Sequence, residues 1–519
     1  MDIDFEVPTK GWNARDNMDA MEAGYALVMV NQVPENGYIR SRGGTQTYQN
    51  ESVAAALGAS GAVETLALYD AGGTQQLIAA RGNKLYTIDD ETTATQIGTG
   101  FTNARWQTIM ANSYLLLVNG EDAPQQFDGT TLSAITLTMK DALGVAIPGN
   151  PVETLIGCVS HQNRVFYWAD NEQRFFYCDT AGGFAGDIVE FPIETRADRG
   201  GKIVSMMSYS RDTGSGLDDM LVVHMSTGQA LVYAGSDPGT FQDWQEVNRY
   251  NIGKPLSIRG NTQFGGDQVI ATYDGFQNLT TALPNQRFSK AGNVGDLIVN
   301  AVKEAASKYN GNYGWEVVFF PRFGWLMFNI PYSSSRYDQY IFNTVTNAWF
   351  RTVQMDAVTW EVWNDRLFYG DPSGNIVEAE TGAYDQVGTD KNPIGWRVVT
   401  AFSKLGSMSR AKVATGASLT HNYGKGEYLD IEVLEDYNRT SGYAINAPPE
   451  SAACVWGVGS WGVDSWAGAA DPIESDTRRD NYPAEGIGNV LALNVRGMSK
   501  LQQITIYDLS LQYRDGGKI

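Results

Sequence analysis

The feature that most constrains this chain is a short apolar run, a tight turn and an aromatic-rich alternating run, recurring without helices between. LIAARGNKLYTID turns at Gly82-Asn83, and RVFYWADNEQRFFYC turns at Asp170-Asn171. LVVHMSTGQALVY turns at Thr227-Gly228, QVIATYDGFQNLT at Asp274-Gly275, and NDRLFYGDPSGNIVEAE between Asp371 and Gly374. Turn residues between period-two apolar runs read as β-hairpins. The phrases GNKLY, QNRVFY and NDRLFY are weakly alike. Small antiparallel sheets repeated radially limit exposed edges, so the pattern predicts a mainly β chain built on an irregular β-propeller of about six or seven blades.

The 519 residues leave room for more than one domain. Residues 1–60 read as an irregular N-terminal segment, with a short helix expected over Asp19 to Val30 and a turn at Asn36-Gly37. Residues 61–390 read as the propeller, interrupted by an inserted helix near 294–309, where Leu297, Val299, Ala301, Val302 and Ala305 fall at near-helical spacing. Residues 391–519 carry longer alternating runs and read as an additional antiparallel, β-sandwich-like domain serving as a platform or interaction surface. Chain termini often lie close together, so the N-terminal segment is expected to pack with this domain.

Composition narrows the chemistry. The 11% aromatic and 43% hydrophobic content, with 56 Gly, suits many strands and turns rather than a disordered chain. A formal net charge of −21 opposes tight wrapping of nucleic acid, which needs Lys and Arg to displace counterions. An acidic wall that DNA slides past without gripping is compatible with it, as is ordinary solubility. Three cysteines, Cys158, Cys178 and Cys454, make no disulfide framework and read as buried thiols of a reducing compartment. The opening MDIDFEVP has neither a basic nor an apolar signal region. WEVVFFPRFGWLMFNIP is broken by Pro321, Arg322 and Gly324, so no stable membrane insertion is expected.

No catalytic constellation emerges. His161, His224 and His421 are far apart and pair with no cysteine at metal-ligand spacing, so no metal site is expected, and His224 reads as a core histidine. GGFAGD and GGDQ do not lead from strand to helix, and no Walker-type loop occurs, so no cofactor is expected. The cluster RDTGSGLDD (211–219) reads as a solvated loop, and a glycosidase carboxylate pair is open among many acids. The candidate contact residues are Trp456, Trp461 and Trp466, every fifth residue in VWGVGSWGVDSWAG. They suit pockets in a protein partner better than a sugar site, with a local core for the loop as the alternative.

VYAGSDPGTFQDWQEVNRYNIGKPLSIRG, followed by GGDQVIATYDGFQNLTTAL, resembles the tail nozzle or hub proteins of short-tailed bacteriophages. The residues carrying the likeness are Gly235, Asp237, Pro238, Trp244, Ile252, Gly253 and Pro255. NARDNMDAMEAGYALVMVNQVPENGYIRSRGG, GWLMFNIP, YIFNTVTNAWFR, TAFSKLGSMSRAKV and YDLSLQYRDGGKI extend it, in order, over most of the chain. The resemblance implies a non-enzymatic virion protein, assembled in the host cytoplasm and located in the tail. It implies a homo-oligomeric, six-fold ring below the head–tail adaptor. Such a ring lines the ejection channel for double-stranded DNA, without sequence-specific binding, and helps retain packaged DNA. Its further partners would be fibre, needle or plug proteins. The competing expectation is a tail-tip propeller that binds a receptor or cleaves glycans.

Overall fold

A computed structural model describes residues 2–212, 217–279, 293–387, 390–422, 428–438, 477–500 and 502–518. Among the described residues the chain is mainly β, 55% strand against 6% helix. It divides into two compact units, one of residues 1–46, 340–354 and 379–519, the other of residues 47–339 and 355–378.

The second unit is the propeller. Its first blade pairs Val63–Ala71, Thr74–Arg81, Lys84–Ile88 and Ala94–Thr99 in chain order. The second runs from Gln107–Ala111 to Leu132–Ala134 and the fourth from Ile203–Asp212 to Gln245–Asn251. The third starts at Leu155–His161 and ends at Gly186–Pro192, against which Leu137–Lys140 adds a fifth strand in parallel. Among the described residues the fifth blade has three strands, from Asn261–Phe264 to Gly275–Asn278. Five blades thus stand as separate sheets, where the hairpin count predicts six or seven. The difference lies in Glu316–Phe320 with Trp325–Ser333, and Thr359–Trp363 with Arg366–Gly370. These strands complete the circuit between the fifth blade and the first, but they belong to a longer sheet.

Local chemistry explains the hairpins. Asn163, Asn171 and Asn364 adopt positive φ at their turns, as Asn does most readily after Gly, and Gly82, Gly228 and Gly275 do the same. The strands between are apolar on both faces because each blade is covered by its neighbours. Phe166, Phe175, Leu221, Val223, Leu231 and Tyr233 form one such inter-blade core. The inserted helix is Val299–Tyr309, preceded by a 3-10 turn at Asp296–Ile298; Val299, Val302, Ala305 and Ala306 are its buried face. Residues 211 and 212 are not loop: Ile203–Asp212 and Leu217–Met225 extend the hairpin on both sides of residues 213–216.

In the first unit, Thr505–Lys518 pairs with Arg410–His421 on one side and with Asp2–Phe5 and Ile39–Ser41 on the other. Tyr25–Val30, Asp390–Thr400, Leu491–Ser499 and Tyr428–Glu435 pair antiparallel in that order. They are part of a nearly closed, barrel-like sheet, where a sandwich was expected. The helix expected over Asp19 to Val30 is absent. Tyr25–Val30 is a strand, because Val28, Met29 and Val30 lie opposite Val399, Val398 and Arg397. A nonlocal ladder overrides the weak helical preference of the segment. Arg42, fully buried, holds this unit together. It donates to both oxygens of Asp385 at 2.8 and 2.6 Å, and to the carbonyls of Gly43 and Val353.

Candidate functional site: the propeller hub

The strongest concentration of buried polar chemistry lies where the innermost strands meet. Arg259 stands just before the first strand of the fifth blade, where its carbonyl accepts the Val317 amide at 3.0 Å. Its guanidinium donates to the Glu64 carbonyl and the Thr359 hydroxyl, both at 3.1 Å. It also donates to the Thr65 hydroxyl at 2.8 Å and the Trp106 carbonyl at 2.6 Å. A residue of the fifth blade that bonds the first blade, the edge of the second and the last strand pair must reach across the axis. Arg259 therefore plugs the hub at this level.

The surroundings complete the plug. The Thr65 hydroxyl also donates to the Ala104 carbonyl at 2.7 Å and accepts the Trp106 amide at 2.9 Å, so its capacity is filled. The Tyr313 hydroxyl donates to the Glu64 carbonyl at 2.8 Å, and burial pushes it up to about 12. The Arg105 guanidinium lies over the Tyr313 ring, 4.3 Å from its centre, and Arg105 pairs with Glu64 at 3.0 Å. Cation–π stacking of this kind shields the charge without a further hydrogen bond.

Two carboxylates share this region. Glu316 accepts the Trp360 amide at 3.0 Å and lies 3.9 Å from Arg259. Burial raises its pKa, and the Arg259 charge opposes that rise. Glu361 accepts only the amide of its neighbour Val362 at 3.0 Å. Burial, reinforced by the Glu316 charge, pushes Glu361 up to about 8. Nearby, Asn329 donates to the carbonyls of Gly314 and Ala357 and accepts from Gln339 and Trp360, fastening the last two strand sets. The arrangement can hold strands and store charge. No nucleophile paired with a base is part of it.

The histidines are interior groups. His224 is fully buried with Nδ1 3.0 Å from the Ser205 hydroxyl, which in turn accepts from Asn261, and burial lowers it to about 4. His161 bridges the Ser208 hydroxyl (2.8 Å) and the Gly235 carbonyl (3.0 Å). His421 lies in the first unit, 3.2 Å from Asp480. Among the described residues no three metal-ligating side chains converge. A polar cleft in the first unit is lined by Ser407, Ser409, Arg410, Lys412 and Asp515; there burial depresses the Lys412 ammonium, which donates to the Asn489 carbonyl at 2.8 Å.

The stretch from Gly235 to Trp244 is the turn between the last two strands of the fourth blade. Asp243 accepts from the amides of Ser236 and Asp237 and from the Ser236 hydroxyl. Asp237 accepts from Gly239 and Thr240, and pairs with Arg164 of the third blade at 3.4 Å. Trp244 then stacks on Tyr233, 5.2 Å between centres and 10° between planes, and on Phe166 at 5.6 Å. Ile252 is buried and Gly253 donates to Gln277, so this step leads from the fourth blade into the fifth. Trp456, Trp461 and Trp466 lie outside the described residues, as does Cys454.

Sequence reasoning missed Arg259, although SIRG ends the phrase that carries the resemblance. The acceptors of its guanidinium hydrogen bonds are 100 to 195 residues away, and no local signal marks them.

No family model matches the chain, and no curated protein matches it. Among solved structures it is similar to the computationally designed Ika8 protein, with 9% identity, a TM-score of 0.35, and 72% of this chain and 99% of that one covered. It is also similar to BBS1N, crystallised in complex with ARL6DN and soaked with lead, with 10% identity, a TM-score of 0.39, and 66% and 99% covered. Among the described residues no helix is long and apolar enough to cross a membrane.

Proposed function

We propose that this chain is a structural subunit of a short phage tail, a ring-forming nozzle or hub protein that lines the DNA ejection channel below the head–tail adaptor. The observation that carries the reading on the structural side is the plugged hub. Arg259, bonded across the axis, closes the propeller at that level. A propeller closed there is suited to be a piece of wall, and a passage would then run between copies, not through one. The ordered likeness of VYAGSDPGTFQDW and the later phrases to tail nozzle proteins supports reading that wall as a tail nozzle. On this reading the chain is not an enzyme. Its net charge of −21 keeps the wall from gripping phosphate, and packaged DNA is retained by the assembled channel.

Cryo-electron microscopy of purified particles tests the proposal. The expected result is a closed ring of copies around a DNA-filled lumen, with every propeller axis blocked at Arg259. Hydrolysis of a host polysaccharide by the purified chain, or its absence from particles by mass spectrometry, would overturn it.

A further inference from the structure

The N-terminal strand is built as an arm. Among the described residues Asp2–Phe5 pairs with one strand, placing Asp2, Ile3, Asp4 and Phe5 opposite Gln512, Leu511, Ser510 and Leu509. Phe5 is buried and Asp4 is exposed. Immediately after the strand the chain reverses through a three-residue turn centred on Pro8, closed by the Thr9 amide on the Val7 carbonyl at 2.6 Å. Pro8 is buried and has no amide hydrogen, and its carbonyl accepts the Gly11 amide at 3.1 Å, so the turn is held by two backbone hydrogen bonds and the ring's fixed φ.

Beyond the turn the chain is anchored firmly. Lys10 donates through its amide to the Gly24 carbonyl at 2.9 Å and through Nζ to the Ala23 carbonyl at 3.0 Å. Gly11 is paired with both Tyr25 and Trp349. A Cβ at Gly11 would come 2.5 Å from the Trp349 carbonyl oxygen, so the backbone is seated as closely as a chain can be. A fixed base, a narrow hinge and a short strand whose partner ladder is identical in every copy are the parts that strand exchange requires, at little cost in contacts. The vacated edge of Leu509–Gln512 would otherwise expose unpaired amides and carbonyls beside buried Leu509 and Leu511. The occupant that best fits it is the same strand from a second copy.

We propose that Asp2–Phe5 is exchanged between copies, each arm completing the sheet of its neighbour along Leu509–Gln512. This rests on the reading of the chain as a ring subunit. Opening the Pro8 turn leaves Lys10 and Gly11 in place and redirects the arm. Because each copy both gives and receives a strand, the exchange can run head-to-tail around a ring, as it can close a two-fold dimer.

The test uses the full chain with Cys454→Ser and the directly opposed pair Asp4→Cys and Ser510→Cys, assembled, oxidised, and resolved on non-reducing denaturing gels with intact mass. Exchange predicts covalent multimers that collapse to single chains on reduction. Disulfides formed only within single chains would overturn it. Asp2→Cys with Gln512→Cys repeats the measurement if the first pair folds poorly. Light scattering on the unoxidised protein separates the two readings. A ring with only intrachain disulfides sinks the exchange and leaves the ring standing, whereas covalent dimers that never grow sustain the exchange and sink the ring.

Discussion

Arg259 donates to the Trp106 carbonyl at 2.6 Å across 153 residues of sequence, and through this bond and its companions the propeller holds its own centre. Replacing Arg259 by Ala leaves the Trp106 carbonyl and the carboxylate of Glu316 without their cation, while the Glu64 carbonyl keeps the Tyr313 hydroxyl. Unsatisfied buried partners cost about 1–3 kcal/mol each, so the loss is expected to be roughly 3 kcal/mol or more. Urea unfolding followed by tryptophan fluorescence measures it. A midpoint within error of the wild type would contradict the role of Arg259 as a hub clamp.

Asp385 and Arg42 form the corresponding clamp in the other unit, with Arg42 fully buried. Asp385→Ala strands that guanidinium, and breaking such a pair costs about 3–5 kcal/mol. Thermal unfolding of Asp385→Ala should show a lowered transition; a double Arg42→Met, Asp385→Leu variant should recover part of the loss, because it removes both charges. Equal destabilisation of both variants would argue against an electrostatic origin.

Glu361 and His224 give stability opposite slopes with pH. The Glu361 pKa rises from 4.5 to about 8 on folding, so the folded state binds the proton more tightly and stability falls as pH climbs from about 4.5 to 8. His224 falls from 6.5 to about 4, so the unfolded state binds the proton more tightly and stability falls as pH drops from about 6.5 to 4. Glu361→Gln should therefore leave stability near pH 5 little changed and raise it above pH 8. Chemical unfolding across pH 4 to 9 reads both slopes, and a Glu361→Gln curve parallel to the wild type would exclude the glutamate.

Gly235 sits at φ +115°, and a Cβ there would lie 1.8 Å from the Asp243 carbonyl oxygen. Gly235→Ala is expected to break the turn between the last two strands of the fourth blade, while Trp244→Ala removes the ring stacked on Tyr233 and should cost about 3–5 kcal/mol. Limited proteolysis should then cut the 235–244 loop faster in both variants, and unchanged cleavage would show that the turn does not depend on them.

The chain by itself determined its hairpins and its helix. Turn chemistry acts between adjacent residues, so Gly82-Asn83 and Asp274-Gly275 are legible where they stand, and the spacing of Val299, Val302 and Ala305 needs no partner to be read. Tertiary structure decided the rest. It made Tyr25–Val30 a strand by placing it beside Asp390–Thr400. It drew the last strand sets into a longer sheet instead of separate blades. It also brought Arg259 to carbonyls that no nearby residue announces, because which blade faces which across an axis depends on ring closure, and closure is a property of the whole circuit.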